Sequence, residues 1–235
     1  MRKGANLNLE TARQDMMRAA VDHAVFDGWS DATFGAACVD AGVDPDLAHA
    51  LYPRGALDLA VAYHRAGDDA MVAALACEDM TALRFRDRVA RAIRLRLETA
   101  DRELVRRGAA LFSLPQNAAT GVALIWATSD AVWRALGDRS DDINWYSKRA
   151  TLSAVYSTVV LYWLGDESAG CSATWEFLDR RIDDVMRFET FKAELRAAPL
   201  LGKVLAGPMK LLGRVHAPAG APADHPGKQS RSRGA

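Results

Sequence analysis

Histidine and cysteine are the side chains best suited to metal or nucleophilic chemistry. This 235-residue chain holds five histidines (His23, His49, His64, His216, His225) and three cysteines (Cys38, Cys77, Cys171). No histidine stands in the Glu-x-x-His spacing that builds di-iron centres in helical bundles. His-x-x-x-His, Gly-x-Ser-x-Gly and phosphate-loop patterns are also missing from the sequence. The cysteines are scattered and odd in number, which fits free buried thiols in a reducing compartment better than a disulfide framework or a metal site. The histidines are read as core or surface residues. The expectation is a protein that is not an enzyme and carries no metal and no cofactor.

Aromatic and arginine side chains are the next candidates, here for binding. Trp126 and Trp133 lie seven residues apart on one helical face. Core packing and the lining of a ligand cavity both fit that spacing. Trp145 and Tyr146 follow an acidic stretch at a helix start, a placement that suits a binding anchor. Arginines crowd residues 84–107, but Asp87, Glu98, Asp101 and Glu103 are interleaved with them. An internally paired, solvated face explains that pattern better than a nucleic-acid surface.

These residues must be positioned by helices, since apolar residues recur at helical spacing and strand alternation is nearly absent. The spacing predicts helices over about Leu9–Val25, from Ser30 to Cys38, from Asp44 to Tyr52, and onward from Ala56. Ser30 and Asp44 are N-caps, with Pro45 at the first helical position. One long helix is predicted from Thr81 to Arg107, with Val89, Ile93 and Leu97 as its apolar stripe and arginines over the rest. Leu114-Pro115-Gln116-Asn117 breaks the chain before a helix that carries Val122, Ile125, Trp126, Trp133 and Leu136. The helix from Trp145 to Leu164 is apolar on most of its circumference and should be central or at a subunit interface. A last body helix carries Trp175, Leu178, Ile182 and Val185, and a linker leads from it to Pro199.

The run Met17-Arg18-Ala19-Ala20, Gly28-Trp29, Ala37, Ala41-Gly42-Val43-Asp44, Leu47, Leu51-Tyr52 resembles the helix-turn-helix of TetR-type proteins. A recognition helix needs donors and cations for bases and phosphates. The segment in that position, residues 44–51, holds Asp44 and Asp46 and neither Lys nor Arg. A DNA-binding, ligand-responsive transcription regulator is therefore the alternative reading, and no nucleic acid is expected as partner.

Longer stretches carry a second resemblance. They are Phe26-Asp27-Gly28-Trp29-Ser30, Arg86-Asp87-Arg88-Val89, Arg94-Leu95-Arg96-Leu97-Glu98, Leu114-Pro115-Gln116-Asn117 and Asp130-Ala131-Val132-Trp133. The most specific is the run 137–150, which contains Asp142-Ile143-Asn144-Trp145-Tyr146 and Arg149; Trp175-Glu176-Phe177-Leu178 follows it. Over residues 15–190 the chain resembles the lipid-binding accessory proteins of ubiquinone biosynthesis, the Coq nine family. That resemblance implies an all-α, TetR-like helical bundle with a degenerate N-terminal helix-turn-helix, usually a homodimer. It implies a cavity for isoprenoid or quinone-like lipid, with Phe112, Leu124, Trp126, Trp133, Tyr156 and Trp163 as candidate lining. It also implies delivery of a quinone intermediate to a di-iron quinone hydroxylase, with Asp142, Asn144, Trp145, Tyr146 and Arg149 as candidate docking residues. The chain divides into a helix-turn-helix-like part (1–55), a lipid-binding body (56–195), an amphipathic segment (196–216) and a tail (217–235) expected to be disordered.

The amphipathic segment is read from its own residues. Residues 196–235 hold seven cations and one acid, +6, which leaves −6 on residues 1–195 of a chain of zero formal charge. At about 100° per residue, Leu201, Val204, Leu205, Leu211 and Leu212 share one arc while Lys203, Lys210 and Arg214 share the opposite one. That is the pattern of a helix lying in a membrane interface, its leucines in the acyl boundary and its cations at anionic headgroups. A docking helix packed on the body also fits the apolar arc. No apolar signal core or spanning segment is present, so the expected location is cytoplasmic, peripheral on the cytoplasmic membrane.

Overall fold

The computed structural model describes residues 9–141 and 143–197. Among them, nine α-helices and one short 3-10 turn form the fold, and no strand occurs. In α1 (Leu9–Asp27), Ala12, Met16, Ala20 and Ala24 repeat every four residues and make the buried stripe. Ser30 caps α2 (Asp31–Asp40): its hydroxyl accepts from the Thr33 N–H at 3.2 Å. Gly42, at φ +61°, makes the turn into α3 (Pro45–Leu51). Asp44 caps α3 by accepting from the Asp46 and Leu47 amides, with Pro45 at the first position. These elements match the expected helix-turn-helix, and α3 carries its acids as the sequence indicated. The next cation, Arg54, is itself held by Asp58 at 2.6 Å.

The body follows as α4 (Ala56–Cys77), α5 (Phe85–Glu98), α6 (Arg102–Ser113), α7 (Ala118–Ala135), α8 (Ile143–Leu164) and α9 (Ser172–Ala197). Two apolar clusters form the core. Trp29, Phe34 and Leu51 pack under Leu59 of α4 and Leu104 of α6. Ile93, Leu97, Val132, Leu152, Val159 and Leu178 make the second cluster, between α5, α7, α8 and α9. Burial of such side chains stabilises by about 1.5–3 kcal/mol each.

Four expectations need correction. The long helix predicted over Thr81–Arg107 is two helices. Asp79 turns the chain at Thr81, so α5 starts only at Phe85. Asp101 then accepts from the Leu104 N–H at 3.0 Å and starts α6 anew. The break hides in the sequence because Leu97 and Leu104, seven residues apart, keep the apolar period in phase across it. Secondly, the arginines of α5 do not all cover its surface: Arg96 is buried. Arg91 pairs with Glu78 and Glu98, and Arg94 with Glu98, as expected, while Arg88 donates to the Leu83 and Thr81 carbonyls. Thirdly, α9 continues to Ala197, where a linker was expected. Lastly, Cys38 is buried, but Cys77 is exposed and Cys171 half-buried. The helix α8 buries Leu152, Val155, Tyr156, Val159 and Trp163 and leaves Leu161 and Tyr162 exposed.

Candidate functional site: an apolar cavity with a polar inner end

Four helices of the body, α4, α6, α7 and α8, do not close on one another completely. They enclose a cavity of about 330 Å³, within the size range of small-molecule sites. Leu104, Val105, Phe112, Leu124, Ile125 and Val160 supply most of its wall. Small residues keep it open: Ala60, Gly108, Ala109, Ala118 and Gly121 stand where larger side chains would fill it. Gly121 also lets α7 approach α6, since a Cβ there would lie 2.9 Å from the Cβ of Phe112. At one end the cavity reaches Val122 and Leu161, which are 69% and 66% exposed. That end is its mouth.

The inner part of the lining is polar, with Arg96 and Tyr156 buried and His64 part-buried. His64 of α4, Arg96 of α5 and Tyr156 of α8 line it. Behind them, the Arg96 Nε–H donates to Asp68 at 2.7 Å, and a second guanidinium N–H donates to the His64 carbonyl at 3.0 Å. The Thr128 hydroxyl lies 2.8 Å from His64 Nε2 and 3.0 Å from Asp68 Oδ1. Which of His64 and Thr128 donates in that bond follows from the ring nitrogen that carries the proton. Burial, reinforced by the nearby Arg96 charge, pushes His64 down to about 3. The imidazole is therefore neutral at physiological pH. Burial also pushes the Asp68 carboxyl above its usual range, against the pull of Arg96. Gly67 makes room for this pair: a Cβ there would lie 2.6 Å from the Arg96 guanidinium carbon.

Of the six cavity residues inferred from sequence, Phe112, Leu124 and Tyr156 line this space. The three tryptophans do not. Trp126 stands in an aromatic group with Trp145 and Tyr146, its ring centroid 5.9 Å and 6.5 Å from theirs. Trp133 stacks on Phe85 and donates to the Lys148 carbonyl at 3.1 Å. Trp163 is buried with the Arg102 guanidinium over its ring. Trp29, Tyr63, His64 and Arg96 line the cavity without having been singled out. Their sequence positions give no local signal, because they come from the turn before α2, from α4 and from α5 and meet only in the folded chain.

The start of α8 carries the residues expected to dock a partner. Trp145 and Tyr146 are half-buried and pack edge to face at 4.8 Å, and Asn144 is exposed. Arg149 does not belong to that face. It is 1% exposed. Its Nε–H donates to Asp130 at 2.6 Å and another N–H donates to Asp138 at 3.2 Å, while the guanidinium lies 4.0 Å from the centre of the Trp145 ring. Lys148 also donates to Asp138, at 2.7 Å. Burial works to raise the Asp138 carboxyl, but the hydrogen bonds from Lys148, Ser140 and Arg149 outweigh it and hold the group at about 2. Arg149 is thus a buried clamp that sets the Trp145 ring. Asp142 and the amphipathic residues Leu201, Lys203, Val204, Leu205, Lys210, Leu211, Leu212 and Arg214 lie outside the described residues. Among the described residues, no group of three His, Cys, Asp or Glu is placed to hold a metal, and no helix is long and apolar enough to cross a membrane.

Comparison with known proteins fits this geometry. The structure superposes on the TetR transcriptional regulator from Nitrosomonas europaea with a TM-score of 0.59, over 73% of this chain and 95% of that one, at 19% sequence identity. Fold and cavity define an all-helical protein of TetR-like architecture. Residues 118–189, from the cavity wall through the Trp145 region into α9, match the COQ9 family model. The probable ubiquinone biosynthesis protein coq9, mitochondrial, of Dictyostelium discoideum is 29% identical over 72% of this chain and 57% of its own length. The corresponding Drosophila melanogaster protein is 28% identical over 77% and 57%. The Rattus norvegicus protein is 40% identical over 34% of this chain and 26% of its own length. Within the TetR-like class, these matches support a member of the COQ9 family. The chain spans little more than half the length of the relatives that match most of it.

Proposed function

We propose that this protein is a non-enzymatic, lipid-binding accessory protein of ubiquinone biosynthesis. It takes an isoprenoid quinone intermediate into the cavity between α4, α6, α7 and α8 and presents it to the di-iron quinone hydroxylase. The observation that carries this reading is the apolar cavity of about 330 Å³, in a chain whose relatives are named as ubiquinone biosynthesis proteins. Trp145 and Tyr146, with Asn144 exposed beside them, form the docking face. Residues 200–216 rest on an anionic membrane surface, which fits their opposed apolar and cationic arcs. The protein works as a homodimer, peripheral on the cytoplasmic membrane. Lipid extraction followed by mass spectrometry of purified protein tests the cavity role: prenylated quinone species are expected, and repeated preparations free of lipid would refute it.

The TetR-like fold raises a second reading, a ligand-responsive DNA-binding regulator. The chemistry of α3 opposes it. Asp44 and Asp46 would meet phosphates, and Arg54 is committed to Asp58. A gel-shift with the upstream region of its own gene should give no retarded band.

A further inference from the structure

The polar inner end of the cavity needs a reason. A cavity meant only for hydrocarbon would be lined by apolar side chains throughout, since buried polar groups are costly unless hydrogen-bonded. Here three polar side chains from three helices converge on one end: His64, Arg96 and Tyr156. Chain distance does not bring them together; they are 32 and 60 residues apart along the sequence. The exposed lining is mostly apolar, Ala118, Val122 and Leu161, with Ser113 its one polar side chain. Polarity therefore runs against the usual direction, with hydrocarbon outside and hydrogen-bonding groups inside.

We infer that the lipid enters head first: its oxygenated ring is held at the inner end by His64, Arg96 and Tyr156, and its prenyl tail leaves past Val122 and Leu161. This inference rests on the lipid-binding reading and adds the orientation and the class of head. The imidazole of His64 is neutral, and the Arg96 charge is already balanced by Asp68. A neutral head with ring oxygens suits such a site, whereas a phosphate or carboxylate would bring an unbalanced charge into it. Tyr156 supplies a phenolic O–H and Arg96 supplies N–H donors, which quinone or phenol oxygens can accept. About 330 Å³ is also small for a long polyprenyl chain. The arrangement solves that problem: the ring and first isoprene units fill the cavity, and the rest of the tail lies along the exposed apolar rim.

The test uses the full-length protein, stripped of lipid, and two probes. One is a benzoquinone with a geranyl tail; the other is squalene, a prenyl hydrocarbon without a polar head. Their affinities are measured by displacement of an apolar fluorophore. His64→Leu and Tyr156→Phe should each weaken the geranyl quinone by about tenfold, the loss of roughly one hydrogen bond, and leave squalene within twofold. His64→Gln should recover part of the quinone affinity. Tyr156→Phe removes a single oxygen and carries the test should His64→Leu fail to fold. Unchanged quinone affinity in Tyr156→Phe, or equal losses for both probes, would overturn the head-first orientation while leaving lipid carriage standing. Failure of both probes to bind the wild type would overturn lipid carriage, and the orientation with it.

Discussion

At the scale of single residues, the inner end of the cavity is governed by His64 and Gly67. His64 is neutral when folded, at about 3, whereas an unfolded-chain histidine titrates near 6.5. Below pH about 6.5 the unfolded chain takes up a proton that the folded protein refuses. Stability attributable to His64 is therefore complete above that pH and is lost as pH falls from there towards 3, by up to about 1.4 kcal/mol per pH unit. Asp68, whose carboxyl is shifted upward, works in the opposite sense at the acid end. The difference between wild type and His64→Gln isolates the histidine: chemical denaturation from pH 7 to 4.5 should show a flatter profile for the variant. Gly67→Ala probes the same corner. The added methyl would lie 2.6 Å from a guanidinium that two hydrogen bonds hold in place. Displacing a buried charge pair costs about 3–5 kcal/mol, and the better helix propensity of alanine returns about 1 kcal/mol. A clear fall in thermal midpoint is expected, measured by circular dichroism.

At the scale of helices, the start of α8 is both anchored and exposed, and the two properties belong to different residues. Arg149 bonds Asp130 of α7 and Asp138 of the connecting loop from a fully buried position. Lys148 and Arg134 still hold Asp138 and Asp130 when Arg149 is removed, so Arg149→Ala should lose about 1.5–3 kcal/mol of stability in denaturant melts, the worth of its charged hydrogen bonds. Trp145 packs on that guanidinium, so Trp145→Ala disturbs the clamp as well as any docking face. Tyr146→Ala is the cleaner probe: it should weaken hydroxylase pull-down while the thermal midpoint stays within a few degrees of wild type. Equal pull-down by Tyr146→Ala and wild type would remove this face from the account.

Most of these helices could be read from the chain itself. Ser30, Asp44, Gly42 and the Leu114–Asn117 break are local signals, and local signals survive folding. The interruption between α5 and α6 could not be read, because the apolar period carries through it and only the Asp101 cap marks it. Half of the cavity residues were legible for the same reason that the other half were not. Phe112, Leu124 and Tyr156 lie on apolar faces that point inward. Trp126, Trp133 and Trp163 share that pattern, but tertiary packing turned them onto Trp145, Phe85 and Arg102. The polar inner end has no sequence signature, since His64, Asp68, Arg96, Thr128 and Tyr156 come from four helices and meet only in three dimensions.

At the scale of the whole molecule, charge is divided unevenly along the chain. Residues 196–235 carry +6 and the rest of the chain −6. Under the proposed function, the basic segment sets where the protein sits and the helical body sets what it carries. Reversing Lys203, Lys210 and Arg214 to Glu should abolish flotation with liposomes containing anionic lipid and leave lipid content of the body unchanged. Flotation equal to wild type would remove the membrane role of the segment.

The central claim is that the space between α4, α6, α7 and α8 holds a prenylated quinone. Its most direct test is lipid extraction and mass spectrometry of the wild type beside Ala109→Phe, a substitution that fills the cavity from the α6 wall. The wild type should release a prenylated quinone species in near-stoichiometric amount, and the filled variant, folded by circular dichroism, should release little or none. Equal lipid in both proteins would contradict the cavity as the carrying site.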